Sequence, residues 1–181
     1  MKKLNLILVL LVSALFAQAQ TIEQTYHFSQ PVVSEHDGYQ QISFQGCLPV
    51  GTVGEPTLPW QSVSLILPQG QEAALVNVEF LDFVELEGSF NLYPYQQPRP
   101  VSNVEETPFA KNEALYRSGN AYPTQGFSNV STQYLNGVAF AFSGFTPMQY
   151  VPATGKVSYA RTVKVSIETV SNRDDHSRKL W

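Results

Sequence analysis

The chain has 181 residues, of which 43% are hydrophobic, 12% aromatic and 14% charged, and its formal net charge is −4. That is the length of one domain with enough apolar material for a real core, and its acidic balance makes it a poor partner for nucleic acid. Cys47 is the only cysteine, which excludes an internal disulfide framework.

The first residues address the compartment. Lys2 and Lys3 precede an apolar run from Leu4 to Phe16, which has the length of a secretory leader and is short for a bilayer span. Ala17-Gln18-Ala19 fits the small-x-small rule and places cleavage between Ala19 and Gln20. The leader is bacterial in style, and no cysteine stands at the cut to carry a lipid. The expectation is a signal peptide over 1–19, a folded domain over 20–170 and a polar linker over 171–181. Such a protein meets a membrane only during export, is periplasmic in transit, and ends secreted or on the cell surface.

Strand signals dominate the rest of the chain. Thr21 to Phe28 places Ile22, Tyr26 and Phe28 on one side, and Tyr39 to Phe44 does the same with Ile42 and Phe44. Between them, Glu35-His36-Asp37-Gly38 reads as a polar turn. Pro49 to Pro59 is a stiff connector with two prolines, Pro56 and Pro59, near its end. Trp60 to Leu67 is a strand whose apolar face is Val63, Leu65 and Leu67, closed by Pro68 and Gly70. In Leu75 to Leu86 the alternation slips at Phe80-Leu81 and Phe83-Val84, which predicts a β-bulge or two consecutive strands. Asn91 to Pro100 is extended and proline-punctuated, as an edge strand is.

Val104 to Phe127 is irregular, with one helical hint over Ala110 to Tyr116. A loop this long in a small domain is functional or mobile. Asn136-Gly137 then marks a turn, after which Val138, Phe140 and Phe142 alternate with Ala139, Ala141 and Ser143. Pro152 to Lys156 is a hairpin loop. Val157, Tyr159, Val163, Val165 and Ile167 return on one face of a half-buried antiparallel strand. Eight to ten short strands separated by turns predict an all-β, antiparallel β-sandwich of jelly-roll-like arrangement.

Residues able to carry chemistry are sparse. His27, His36 and His176 share no metal-ligand spacing, so no metal site and no cofactor are expected. Cys47 with a distant histidine makes no dyad by itself and reads as a small packed residue. There is no Gly-x-Ser-x-Gly elbow and no phosphate loop. Glu105-Glu106 and Asp174-Asp175 are sequence neighbours in loops, where solvated charge is the default. Tyr93, Tyr95, Tyr116, Tyr122, Tyr134, Tyr150 and Tyr159 could stack on sugars, although tyrosines in a sandwich more often pack. The basic residues Arg99, Lys111 and Arg117 fall in or beside the long irregular region. Arg173, Arg178 and Lys179 lie in the polar linker, the usual kind of place for proteolytic nicking.

The order of segments is itself a signal. A leader is followed by Gly54-Glu55-Pro56-Thr57-Leu58-Pro59, then Leu67-Pro68-Gln69-Gly70, Leu92-Tyr93-Pro94 with Gln97-Pro98, Tyr122-Pro123, and Pro147 to Val157. That order resembles the N-terminal propeptide of the gingipain-type cysteine peptidases of Bacteroidetes. The resemblance implies a β-sandwich that inhibits its own peptidase, assists its folding and keeps the zymogen latent until cut off, in a family many of whose members use the type IX route. It implies one partner, the cognate cysteine peptidase catalytic domain, in cis or in trans. In trypsin-like members a basic prodomain side chain fills the specificity pocket; by position, Lys111 or Arg117 is the candidate here. A catalytic domain is absent from this sequence, which is expected of a fragment of a longer precursor or, as the second reading, of a free-standing prodomain. The alternative is a stand-alone secreted sandwich that binds glycan or a surface protein.

Overall fold

Val, Ile, Phe and Tyr at every second position favour extended backbone, because branched and aromatic side chains pack well on a pleated surface with one face buried. The computed structural model describes residues 20–98 and 108–172. The signal-peptide reading with Ala19, and Arg99, Arg173, Arg178 and Lys179, lie outside the described residues. Ten strands form within them: β1 (Gln20–His27), β2 (Val32–His36), β3 (Tyr39–Ser43), β4 (Leu48–Val50), β5 (Leu58–Ile66), β6 (Gln71–Glu85), β7 (Ser131–Leu135), β8 (Val138–Phe145), β9 (Met148–Val151) and β10 (Lys156–Ser171). One short helix, α1 (Glu113–Tyr116), interrupts them. The architecture is an all-β sandwich of antiparallel sheets, as expected.

β10 organises the first sheet. One edge pairs with β6 from Ser158↔Glu85 to Ser171↔Gln71. The other edge takes β9 at its start and β1 further along, from His27↔Thr162 to Gln20↔Thr169. The second sheet runs β4-β5-β8-β7, and β2-β3 is a separate hairpin. Val157, Tyr159, Val163, Val165 and Ile167 of β10 meet Val63, Leu67, Ala141 and Phe145 of the second sheet in one buried core.

Three local expectations change. β2 is a strand where only a polar turn was expected: all five residues are exposed, so no buried face writes alternation into the sequence. The turn is the two residues Asp37-Gly38, both at positive φ, as a tight hairpin requires. β6 is one continuous strand. Its register shift lies opposite Glu168/Thr169, at Ala74. The apparent slips at Phe80 to Val84 arise because Leu81 and Phe83 are apolar yet exposed, while Val76, Val78, Phe80 and Val84 hold the inner face. The Asn91–Pro100 segment is not an edge where it is described. Residues 91–95 bond to Gln40 on one side and to Gly54, Glu55 and Thr57 on the other, and Leu92 is fully buried. In β8 the small residues Ala139 and Ala141 face the core and Phe142 faces outward.

Candidate functional site

The segment from Phe109 to Tyr122 has little regular structure of its own, so its shape depends on where its polar groups find partners. Gln96 acts as a surrogate strand: its side-chain amide donates to Ala110 O at 2.8 Å, and its carbonyl accepts from Ala110 N at 2.9 Å. Asn112 N donates to Gly54 O at 2.8 Å, and Asn112 Oδ1 accepts from Leu115 N at 3.1 Å, capping α1. Tyr116, buried at the end of α1, donates its hydroxyl to Leu92 O at 2.6 Å. Burial first, then the neighbouring Tyr150, Tyr39, Tyr122 and Glu113, raise its pKa far above the usual phenol value, so it stays a neutral donor. Beyond the helix, Ala153 N of the β9–β10 hairpin donates to Ser118 O at 3.0 Å, and Tyr122 exchanges two backbone bonds with Tyr150.

Arg117 therefore sits on a short exposed turn held at both ends. Its side chain is 81% exposed, and its one ion-pair contact is a loose 3.9 Å approach to Glu113. Exposed i,i+4 pairs of this kind contribute a few tenths of a kcal/mol, roughly 0.3–0.5, too little to hold the guanidinium down. Lys111 is placed differently. Its side chain is 24% exposed, and its Nζ lies 4.8 Å from the Tyr116 ring centroid, 5.7 Å from that of Tyr39 and 3.5 Å from Glu113 Oε1. It is tied into an aromatic cluster in which Tyr39, Tyr93 and Phe109 contact one another and His36 meets Tyr93 edge-on at 4.6 Å. The two basic residues share one groove of about 460 Å³, with Gln40, Asn91 and Thr154 on its walls. One of them is anchored and the other is presented.

The hydroxyl of Tyr116 can be tested alone. Tyr116→Phe removes the donor to Leu92 O and leaves a buried carbonyl short of a partner, so thermal unfolding is expected to show a loss of about 1–3 kcal/mol. An unchanged melting temperature would mean that the loop is held by its other contacts.

Among the described residues the remaining candidates form no reactive constellation. Cys47 is half-buried, its Sγ 3.9 Å from Gln61 Oε1, and burial lifts its pKa to about 11, so the nucleophilic thiolate is suppressed at neutral pH. Among the described residues no group of three His, Cys, Asp or Glu side chains could hold a metal ion. His27 and His36 sit on separate strands, β1 and β2. The tyrosines are mostly packing residues: Tyr116, Tyr150 and Tyr159 are buried, and Tyr93 belongs to the Lys111 cluster.

The comparisons with known proteins decide between the two binding readings. The family model for the C25 propeptide matches residues 12–179. The chain belongs to the C25 peptidase propeptide family. It is a zymogen pro-region of a gingipain-type cysteine peptidase and not a catalytic domain, which displaces the stand-alone binding module. Two solved structures from Porphyromonas gingivalis share the fold. One, from work on the zymogenic latency of gingipain K, is 22% identical with a TM-score of 0.67, covering 84% of this chain and 88% of that one. The other, from the complex of RgpB pro- and mature domains, is 18% identical with a TM-score of 0.64, covering 92% of this chain and 87% of that one. No curated protein matches the sequence.

Sequence reasoning singled out Lys111 and Arg117, which the structure places on one groove, but not what holds them. Asn112 ahead of Glu113 to Tyr116 is a legible cap signal. Gln96 and Ala153 left none, because their partners are 14 and 35 positions away in the chain.

Proposed function

We propose that this C25 pro-region holds its cognate cysteine peptidase latent by offering Arg117 to the enzyme's specificity pocket, and that it assists the folding of that enzyme. The observation that carries the reading is the contrast between an 81% exposed Arg117 on a turn fixed at both ends and a Lys111 already engaged. A pre-ordered loop loses little entropy on binding, which is where affinity is otherwise lost. Arginine is also a frequent interface anchor, because its planar fork makes several directional bonds at once. Within a precursor, covalent attachment supplies an effective concentration of roughly millimolar, so a standard interface of about 1,600 Å² suffices. Cutting at Arg173, Arg178 or Lys179 ends that advantage, and the same separated domain can act in trans. Export through a leader cleaved between Ala19 and Gln20 fits an enzyme kept inactive until it leaves the cell.

The test is inhibition of the cognate mature peptidase by this chain. Arg117→Ala is expected to raise the inhibition constant about thirtyfold or more, since a buried anchor arginine contributes ~2 kcal/mol or more. Lys111→Ala is expected to act only through loop order, by less than about tenfold. Full potency of Arg117→Ala would remove Arg117 from this role.

A further inference from the structure

The two outer faces of the sandwich differ in kind. On the β1-β10-β6 sheet the outward positions mix exposed Leu75, Leu81 and Phe83 with charge, Lys164 lying 3.0 Å from Glu23 and Lys156 2.6 Å from Glu85. On β5, β8 and β7 the outward positions carry none. The cross-strand register puts Ile66 beside Phe140, Ser64 beside Phe142 and Leu135 beside Val138. Ile66 is 65% exposed, Leu135 64% and Phe142 37%. The Phe140 and Phe142 rings lie 6.1 Å apart, and Trp60 covers Gly144 further along the same face. Ser62, Ser131 and Gln133 fill the gaps. Single exposed apolar residues are ordinary, but a continuous aromatic and aliphatic stripe without charge is the composition of an interface centre.

Both ends of the stripe are tied to parts of the molecule with a part in latency. At the Ile66 and Leu135 end lies Asn172, the last described residue: its N donates to Gly70 O at 2.8 Å, and its Nδ2 donates to Tyr134 Oη at 2.7 Å. At the other end Trp60 lines a small groove with Tyr122 and Pro123, the residues that follow the Arg117 turn. From Ile66 to Trp60 is about 20 Å of strand.

We infer that the outer face of β5, β8 and β7 is the main docking surface for the catalytic domain of the cognate peptidase. This rests on the latency reading above. A domain tethered beyond Asn172 and closed over Arg117 must lie along the surface between them, and that surface is the uncharged one. Arg117 then supplies the specificity contact and the sheet face supplies the buried area.

The experiment measures binding of this chain to the mature catalytic domain of its own precursor, alongside inhibition. Ile66→Asp combined with Phe142→Asp places charge on the stripe, and Ser64→Arg does so without removing any packed side chain. Each variant is expected to melt within a few degrees of the wild type and to weaken the dissociation constant at least tenfold. If both bind like the wild type while Arg117→Ala loses inhibition, the docking surface is wrong and the latency reading stands. If the wild-type chain does not bind the catalytic domain, both fall together. If the chain alone is a dimer that the charged variants dissociate, with affinity for the catalytic domain unchanged, the face belongs to a second copy and the inference is overturned.

Discussion

Phe145→Ala is expected to lower the unfolding free energy by about 3–5 kcal/mol, the range for removing a buried aromatic ring without collapse of the site. Phe145 has no exposed surface and stands where the sheets meet. Its ring makes edge contacts with Tyr26 of β1 at 5.2 Å, Phe28 at 6.0 Å and Phe80 of β6 at 6.1 Å. Those three rings come from distant parts of the chain and cannot close on the space left behind without moving their strands. For a domain of this size the loss corresponds to roughly 6–20 °C in melting temperature. Against a total stability of about 5–15 kcal/mol it is a large share. Urea unfolding of the variant measures it directly, and a loss below about 1 kcal/mol would show that Phe145 is not the centre of the packing.

Gly155→Val is expected to cost roughly 2–5 kcal/mol, from a left-handed backbone that a branched residue resists and from direct overlap. Gly155 has φ +69°, and a Cβ there would stand 2.8 Å from Phe90 N and 2.9 Å from Phe90 O, with Ser89 Oγ closer still. The backbone bond from Phe90 N to Gly155 O, at 2.8 Å, explains the closeness. This substitution also reaches the turn that carries Arg117, the residue proposed to inhibit. The hairpin that contains Gly155 supplies Ala153 N to Ser118 O, one residue after Arg117. Inhibition by the folded fraction should therefore weaken along with stability, whereas Phe145→Ala should leave the inhibition constant of the folded fraction close to that of the wild type. Comparing the two variants separates the stability of the sandwich from the order of its loop.

Two residues show how much of the function could be read from the chain. Arg117 and Lys111 look alike in sequence: both are basic, both lie at or beside the ends of a weak helical signal, and both sit in the long irregular region. What distinguishes them is tertiary. Lys111 is drawn in by Tyr39 on β3 and Tyr116 on α1, and the first of these is 72 residues away. Arg117 has no such neighbours because Tyr116, the residue before it, turns inward to Leu92. No local pattern contains that difference, since a cation held over rings and a cation offered to solvent have the same sequence signature.

The fold divides along similar lines. Local pattern was enough for the class: strands with one buried face, turns at Asn136-Gly137 and Pro152 to Lys156, and the ordered proline segments that carried the family resemblance. These are local properties, written by side-chain period and by residues that restrict the backbone. Whatever depends on distant partners was set by tertiary packing alone. β2 pairs although nothing in it is buried. Residues 91–95 run between two segments because Gln40 and Gly54 come to either side. Phe140 and Phe142 of β8 face outward because the space beneath that part of the strand is taken by Phe145 and β10, so alanine fits at positions 139 and 141 where phenylalanine would not. Burial is a property of what arrives from elsewhere in the chain, and that is why the face proposed to meet the peptidase could not be read from its own residues.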